Sequence, residues 1–311
     1  MRVVPEGRLV YGIQLPIQAQ STVFVADWER AAGADELVRI ARKCDENGFF
    51  YVAVCDHVAI PRRMADAMST VWFDTIATLG MLAGVTRQVR LLSHVYVPHY
   101  RHPLQVAKAF ATLDVLSKGR VILGVGAGHV PEEFEALGVD FHARGRLLDE
   151  AIDAVDRLLT TSFAEVAGPT WKVHDLEMAP RPVQQPRPPI WVGGSSPAAV
   201  RRAAERGDGW LPQGMATAEQ VAALLEHRRA VRGDDPIDLG TITPWLYVGQ
   251  ASHDLPPHTL TGEGAGIAET LRRYRDLGVN HLQVHFRARS GEELEDQLDA
   301  FGRDVAPHLN D

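Results

Sequence analysis

Two periods of apolar residues alternate along this chain. Short runs rich in Val, Ile and Leu are each followed by a longer stretch whose apolar positions recur every three to four residues. The short runs predict strands over Leu9–Leu15, Phe50–Asp56, Val89–Val97, Arg120–Ala127, Ile190–Gly193, Gly209–Leu211, Thr241–Val248 and His281–Arg287. The longer stretches predict helices over about 33–48, 72–84, 103–117, 143–161, 197–207, 217–231, 265–277 and 291–305. Eight strand–helix repeats match an α/β fold of the (β/α)8 TIM-barrel type, whereas a doubly wound sheet more often stops at about five or six strands. The site of such a barrel lies at its C-terminal mouth, where strands end and helices begin. Two segments exceed ordinary connections and are expected as insertions within one domain spanning 1–311: "HVAIPRRMADAMSTVWFD" after the second strand, a candidate substrate lid, and the Pro-rich stretch 163–189 after the fourth.

Period-2 alternation assigns a face to each strand residue. In "GRVILGVGAGHVPEEFEALG", Val121, Leu123 and Val125 suit the helix side, so Gly124 and Gly126 face inward and Gly128 follows at the mouth. Such glycines make room either for a bound planar group or for close backbone packing. The eighth strand, "HLQVHFR", has the same phase: Leu282, Val284 and Phe286 point one way, His281, Gln283, His285 and Arg287 the other. Arg287 then emerges at the mouth, as a bidentate anion ligand or a solvated rim residue. In "IWVGGSSPAAV", Gly193 and Gly194 end a strand, Ser196 is a good N-cap and Pro197 suits the first helical position. The free N–H groups of such a turn favour a phosphate. Neither glycine cluster has the spacing and following helix of a dinucleotide fingerprint.

Asp56 and His57 fall at the end of the second strand, where a carboxylate and an imidazole can bind a polar cofactor edge and move a proton. A loop-capping Asp with an exposed His is the alternative. His94 and His129 add imidazoles near the same opening, but no HxH or HExxH spacing accompanies them and no metal is expected. In the helix after the fourth strand, Glu133 is expected on a solvated face, while Phe134 and Leu137 pack.

Composition narrows the class. A net charge of −8 with scattered basic residues leaves no footprint for nucleic acid. No apolar run approaches the roughly 20 residues of a membrane span, and the first residues lack secretory-signal character, so a cytoplasmic protein is expected. Cys44 and Cys55 make no metal or disulfide pattern.

Together, "VCDHV", the block "RHPLQVAKAFATLDVLSKGRVILGVGAGHVPEEFEALGVDFHARGRLLDE" and "PIWVGGSSPAAVRRAAERGDGW" make the chain resemble the luciferase-like monooxygenase superfamily of flavin and deazaflavin enzymes, and within it the actinobacterial branch assigned to coenzyme F420. The resemblance implies a TIM barrel, commonly a homodimer, that binds F420, or alternatively FMN, and a small-molecule substrate. By position it implies that Asp56 and His57 form the cofactor-edge and active-site pair and that Ser93 and His94 are cofactor-binding residues, at the place of a non-prolyl cis peptide bulge behind the ring. It implies that Ala127 and Glu132 contact the cofactor and that Gly193, Gly194 and Ser195 hold its phosphate. His57 and His129 are then the candidate catalytic residues, with Gly126, Gly128 and Arg287 beside the cofactor. Two positions depart from the F420 sugar dehydrogenases: His129 replaces their acidic residue and Pro61 their tryptophan, which argues against a sugar phosphate substrate. A flavin-binding protein without turnover and a phosphosugar isomerase or aldolase barrel are the rival readings.

Overall fold

Eight parallel strands close on themselves in a computed structural model that describes residues 1–22 and 25–311. In chain order the elements are β1 (Val10–Gln14), α1 (Ala34–Glu46), β2 (Tyr51–Val54), α2 (Ala65–Met68), α3 (Thr75–Val85), β3 (Arg90–Ser93), α4 (Pro103–Leu116), β4 (Val121–Val125), α5 (Pro131–Ala136), α6 (Arg144–Thr160), β5 (Val166–Ala167), β6 (Lys172–Val173), β7 (Ile190–Gly193), α7 (Pro197–Arg206), β8 (Gly209–Leu211), α8 (Ala218–Arg232), β9 (Asp238–Val248), β10 (Leu260–Gly262), α9 (Gly264–Arg272), β11 (His281–Phe286) and α10 (Gly291–Ala300). Strands β1, β2, β3, β4, β7, β8, β9 and β11 pair in that order, and β11 returns to β1 with Gly12 opposite Gln283. The barrel is the (β/α)8 form. β10 extends β9 at the rim, and β5 and β6 form a hairpin within 163–189.

Two apolar layers hold the barrel. The outer one lies between strands and helices and takes Val121, Leu123 and Val125 from β4 with Leu282, Val284 and Phe286 from β11. The inner one packs Tyr51, Leu92, Ile122, Trp191 and Leu211 against one another. Large inward side chains fit because glycines face them: a Cβ on Gly12 would lie 2.4 Å from the Tyr51 ring, one on Gly209 2.3 Å from Trp191, and one on Gly240 2.1 Å from His281. Alternating large and missing side chains fill the tapering interior. His281 stacks on Trp191 at 4.1 Å and seals the floor.

Most departures from the sequence pattern have a local cause. β3 ends at Ser93 rather than Val97, because a bulge breaks the ladder after it. The helix expected over 265–277 divides into α9 and a 3-10 turn over Arg273–Leu277. Among the described residues no helix is long and apolar enough to cross a membrane. The segment after β2 contains a 3-10 turn and α2, and is tied to the chain after β1 by Gln20 N–H donating to Val71 O (3.1 Å) and Thr22 N–H to Ala67 O (3.0 Å).

Candidate active site

The strand ends enclose a cavity of about 1210 Å³, wide enough for a multi-ring ligand and a second small molecule. Its inner boundary on the β3–β4 side is a ridge. The peptide between His94 and Val95 is cis, one residue beyond the expected Ser93–His94 position. Ser93 itself is fully buried: its hydroxyl donates to Gly124 O (2.9 Å) and accepts from Gly124 N–H (3.0 Å), fastening β3 to β4 behind the ridge instead of facing a cofactor. His94 N–H donates to Val54 O, Tyr96 N–H to Gly124 O and Gly126 N–H to Tyr96 O, all within 2.9 Å.

These bonds explain the glycines differently from the simplest sequence reading. A Cβ on Gly126 would fall 2.4 Å from Val95 Cγ2, one on Gly193 2.2 Å from Val95 Cγ1, and one on Gly124 1.9 Å from Ser93 O. The space on the inward phase of β4 therefore holds Val95, and the ridge of His94 and Val95 faces the cavity in its place. Gly126, Ala127, Gly128 and His129 continue the wall, Gly128 with φ +72° and the Phe134 and Tyr100 side chains closing over its α-carbon.

Asp56 borders the cavity, but its oxygens are already engaged. Oδ2 accepts from Val97 N–H (2.9 Å) and Arg101 Nη1 (2.7 Å), and Oδ1 from Arg101 Nη2 (2.9 Å). The carboxylate anchors the chain just past the ridge.

His57 follows with its ring edge-on to Trp72 (4.3 Å between centroids) and to His129 (5.3 Å). Its Nδ1 stands 2.8 Å from Glu133 Oε2, while Glu133 Oε1 accepts from Val58 N–H (2.7 Å) and Ala59 N–H (3.1 Å). Burial opposes ionisation of Glu133, yet the His57 hydrogen bond and charge and the two backbone donors outweigh it and hold the carboxyl below its usual range. A carboxylate at Nδ1 keeps a proton there and leaves Nε2 as the atom that exchanges one. His129 is more exposed; partial burial, then the neighbouring His57, lowers its pKa.

The pairing of Glu133 with His57 is what the sequence reading missed, and Glu132 stands away from where it was expected. Glu133 is only 2% exposed, whereas Glu132 turns out of the cavity to a forked pair with Arg63 (Nη2 to Oε2 2.8 Å). The signal was present: Val130, Phe134 and Leu137 mark an i, i+4, i+7 stripe, and Glu133 fills the i+3 place on that face. Phe134 packs as expected, while Leu137 is left exposed at the end of α5.

On the β7 side, Gly193, Gly194, Ser195 and Ser196 form the cavity edge. Gly194 has φ +111°, which a side chain would resist. Ser195 Oγ accepts from Gln213 N–H (3.0 Å), Gln220 Nε2 donates to Ser195 O (2.9 Å), and Trp210 Nε1 donates to Gly194 O (2.9 Å). Ser196 caps α7 by accepting from Ala199 N–H (3.2 Å), with Pro197 at the first helical position. A rigid turn with a helix N-terminus opening on a cavity suits an anion.

The opposite wall is β11. Gln283, His285 and Arg287 face inward at increasing height, and the Arg287 guanidinium lies 4.1 Å over the Trp245 ring. Burial pushes His94 and His285 down to about 4, helped by their neighbours His285 and Arg287 respectively, so both imidazoles are neutral at pH 7. Among the described residues no three His, Cys, Asp or Glu side chains are grouped to hold a metal ion.

Comparison with known proteins adds the family. Residues 16–255 match the profile of the luciferase-like monooxygenases. An F420-dependent glucose-6-phosphate dehydrogenase of Amycolatopsis mediterranei is 32% identical over 325 residues, covering 89% of this chain and 95% of that one. The oxygenase component of a flavin-dependent trigonelline monooxygenase of Acinetobacter baylyi is 29% identical over 175 residues, 56% of this chain and 46% of that one. The solved structure of an F420-dependent secondary alcohol dehydrogenase in complex with an F420–acetone adduct has the same fold, with a TM-score of 0.76 at 18% identity over 98% of this chain and 100% of that one. Profile, length and fold agree, and the chain belongs to the luciferase-like monooxygenase family.

Proposed function

We propose that this protein is an F420-dependent oxidoreductase that transfers a hydride between the deazaflavin and a small organic substrate. The residues suit such a cofactor: the His94–Val95 ridge, made possible by Gly126 and Gly193, offers a firm backing for a flat ring. Ala127 and Gly128 border it without bulk, and the Gly193–Ser196 turn offers backbone donors to a phosphate. When bound, the cofactor supplies the hydride chemistry. The chain supplies orientation and a proton: His57 Nε2 donates to or accepts from the substrate, with Glu133 fixing its tautomer and His129 as a second proton carrier. Asp56 serves this reading indirectly, through Arg101 and Val97.

The observation that carries the reading is the His57–Glu133 pair opening on the same cavity as the ridge and the capped turn. Replacing His57 by Ala tests it: F420 affinity is retained and turnover on a panel of small alcohols and ketones falls on the order of 10²-fold or more; unchanged turnover removes His57 from the mechanism. FMN-dependent monooxygenation is the second reading, supported by the flavin-dependent relative. A bound cofactor that no donor reduces would favour a binding protein without turnover. A homodimer in the cytoplasm completes the proposal, checked by sedimentation and cell fractionation.

A further inference from the structure

The wall facing the ridge contains a buried carboxamide with no hydrogen-bond partner among the described residues. Gln283 is fully buried, and neither its Nε2 nor its Oε1 has a hydrogen-bond partner among the described residues. A carboxamide kept in a barrel interior without partners is a cost that folding alone does not explain. Gln283 lies at the base of the cavity wall on β11, paired in register with Gly12 of β1. Further along the same two strands, beyond the Ile13–Val284 pair, Gln14 and His285 both line the cavity. The ion on this face of β11, Arg287, comes one further pleat up, at the mouth.

Resting on the oxidoreductase reading for its substrate side, we infer that Gln14, Gln283 and His285 form the recognition wall for a neutral substrate group that carries a carbonyl beside an N–H or O–H. The chemical class is amides, lactams and α-hydroxy ketones. A carboxamide donates and accepts through atoms about 2.3 Å apart, so it matches a ligand edge offering an acceptor and a donor together. His285, one pleat above Gln283, is neutral and adds one more donor or acceptor. Arg287 stands two pleats above Gln283, so a carboxylate or phosphate carried down to Gln283 would lose its hydration without a cation in contact, and anionic ligands are directed to the mouth. Ligand entry engages Gln14 and His285 first, with Gln283 beneath them.

The test uses the full chain, with and without bound F420, and three probes: 2-piperidone, cyclohexanone and cyclohexanecarboxylate, each titrated by calorimetry against wild type, Gln14→Met and Gln283→Met. Methionine keeps the length of Gln and removes both polar atoms. Wild type should bind 2-piperidone at least about tenfold more tightly than cyclohexanone, and each variant should lose about tenfold for 2-piperidone while its affinity for cyclohexanone stays within twofold. Gln283→Met should melt no lower than wild type, because no intramolecular bond is lost. Equal 2-piperidone affinity in wild type and both variants, a carboxylate that binds as tightly as the lactam, or a clearly lower melting temperature for Gln283→Met would each overturn the inference. F420 titrations of the same three proteins separate the two claims: absent F420 binding with Gln-dependent lactam binding defeats the cofactor reading alone, whereas normal F420 binding with indifferent lactam binding defeats the wall.

Discussion

Glu133 Oε2 stands 2.8 Å from His57 Nδ1, and the other oxygen of the same carboxylate gathers the N–H groups of Val58 and Ala59. One buried carboxylate on α5 thus sets the tautomer of the imidazole and the first turn of the segment that borders the cavity. A neutral side chain of similar size cannot do both at once, because an amide offers one acceptor oxygen where the site uses two.

Glu133→Gln is therefore expected to destabilise the protein by about 1–3 kcal/mol and to lower turnover on the order of 10²-fold, while F420 affinity stays near wild type. Because the folded pKa of Glu133 is below its ordinary value of 4.5, its stabilisation is complete above that value and fades as pH falls through the lower folded value. Urea melts of both proteins at pH 7 and pH 3.5 check this: the difference between them should shrink in acid. A constant difference would mean that charge on Glu133 contributes nothing.

Acid weakens the fold earlier for another reason. Burial lowers His94, His99 and His285 to about 4 and His281 to about 3, so each is neutral when folded and takes up a proton only on unfolding as pH drops below 6.5. Asp238 acts in the opposite direction, since burial raises it to about 6 and its contribution is lost as pH rises through that value. The lowered imidazoles outweigh Asp238, so stability falls between pH 6.5 and pH 4. Denaturant midpoints measured across that range should fall steadily; a flat profile would show that these imidazoles are solvated.

Gly126→Ala sets a methyl group 2.4 Å from Val95 Cγ2, an overlap expected to cost about 1–3 kcal/mol and to displace the ridge. Adding Val95→Ala to the same chain should recover part of that loss, with a coupling of about 0.5–3 kcal/mol. A double-mutant cycle by denaturant melts checks it. Simple additivity would mean that Gly126 and Val95 do not compete for the space.

Asp56→Asn tests whether Asp56 supports the ridge or touches the cofactor. The pairs to Arg101 and Val97 predict a loss of about 1.5–3 kcal/mol in stability even without cofactor. Full stability with lost F420 affinity would restore the direct role expected from sequence.

The barrel was legible because its signals are periodic: β7 and β8 coincide residue for residue with the predicted strands, and the outward set on β11 is the one that alternation assigns. What escaped detection depends on contacts between distant segments. Tyr96 and Val97 read as strand because they are apolar; the resemblance placed a bulge one residue early, at Ser93–His94, because the contacts that hold it at His94–Val95, from Val54, Gly124 and Asp56, leave no local pattern. The β5–β6 hairpin has strands of only two residues, too short for a period. Ser93 was assigned to a cofactor because its place in the chain is beside the bulge, but its hydroxyl points back to Gly124. Glu132 and Glu133 differ only in helical phase at the start of a six-residue helix, where charge suggested solvent and the stripe of apolar neighbours was the better guide.

Titration of the purified protein with F420 and, separately, with FMN, followed through the fluorescence of Trp72 and Trp245 at the cavity wall, tests the central claim most directly. Saturable quenching by F420 is expected, with binding at least about tenfold weaker for FMN and loss of the F420 signal in Gly126→Leu. Tight FMN binding with none for F420, or F420 quenching unchanged in Gly126→Leu, would contradict it.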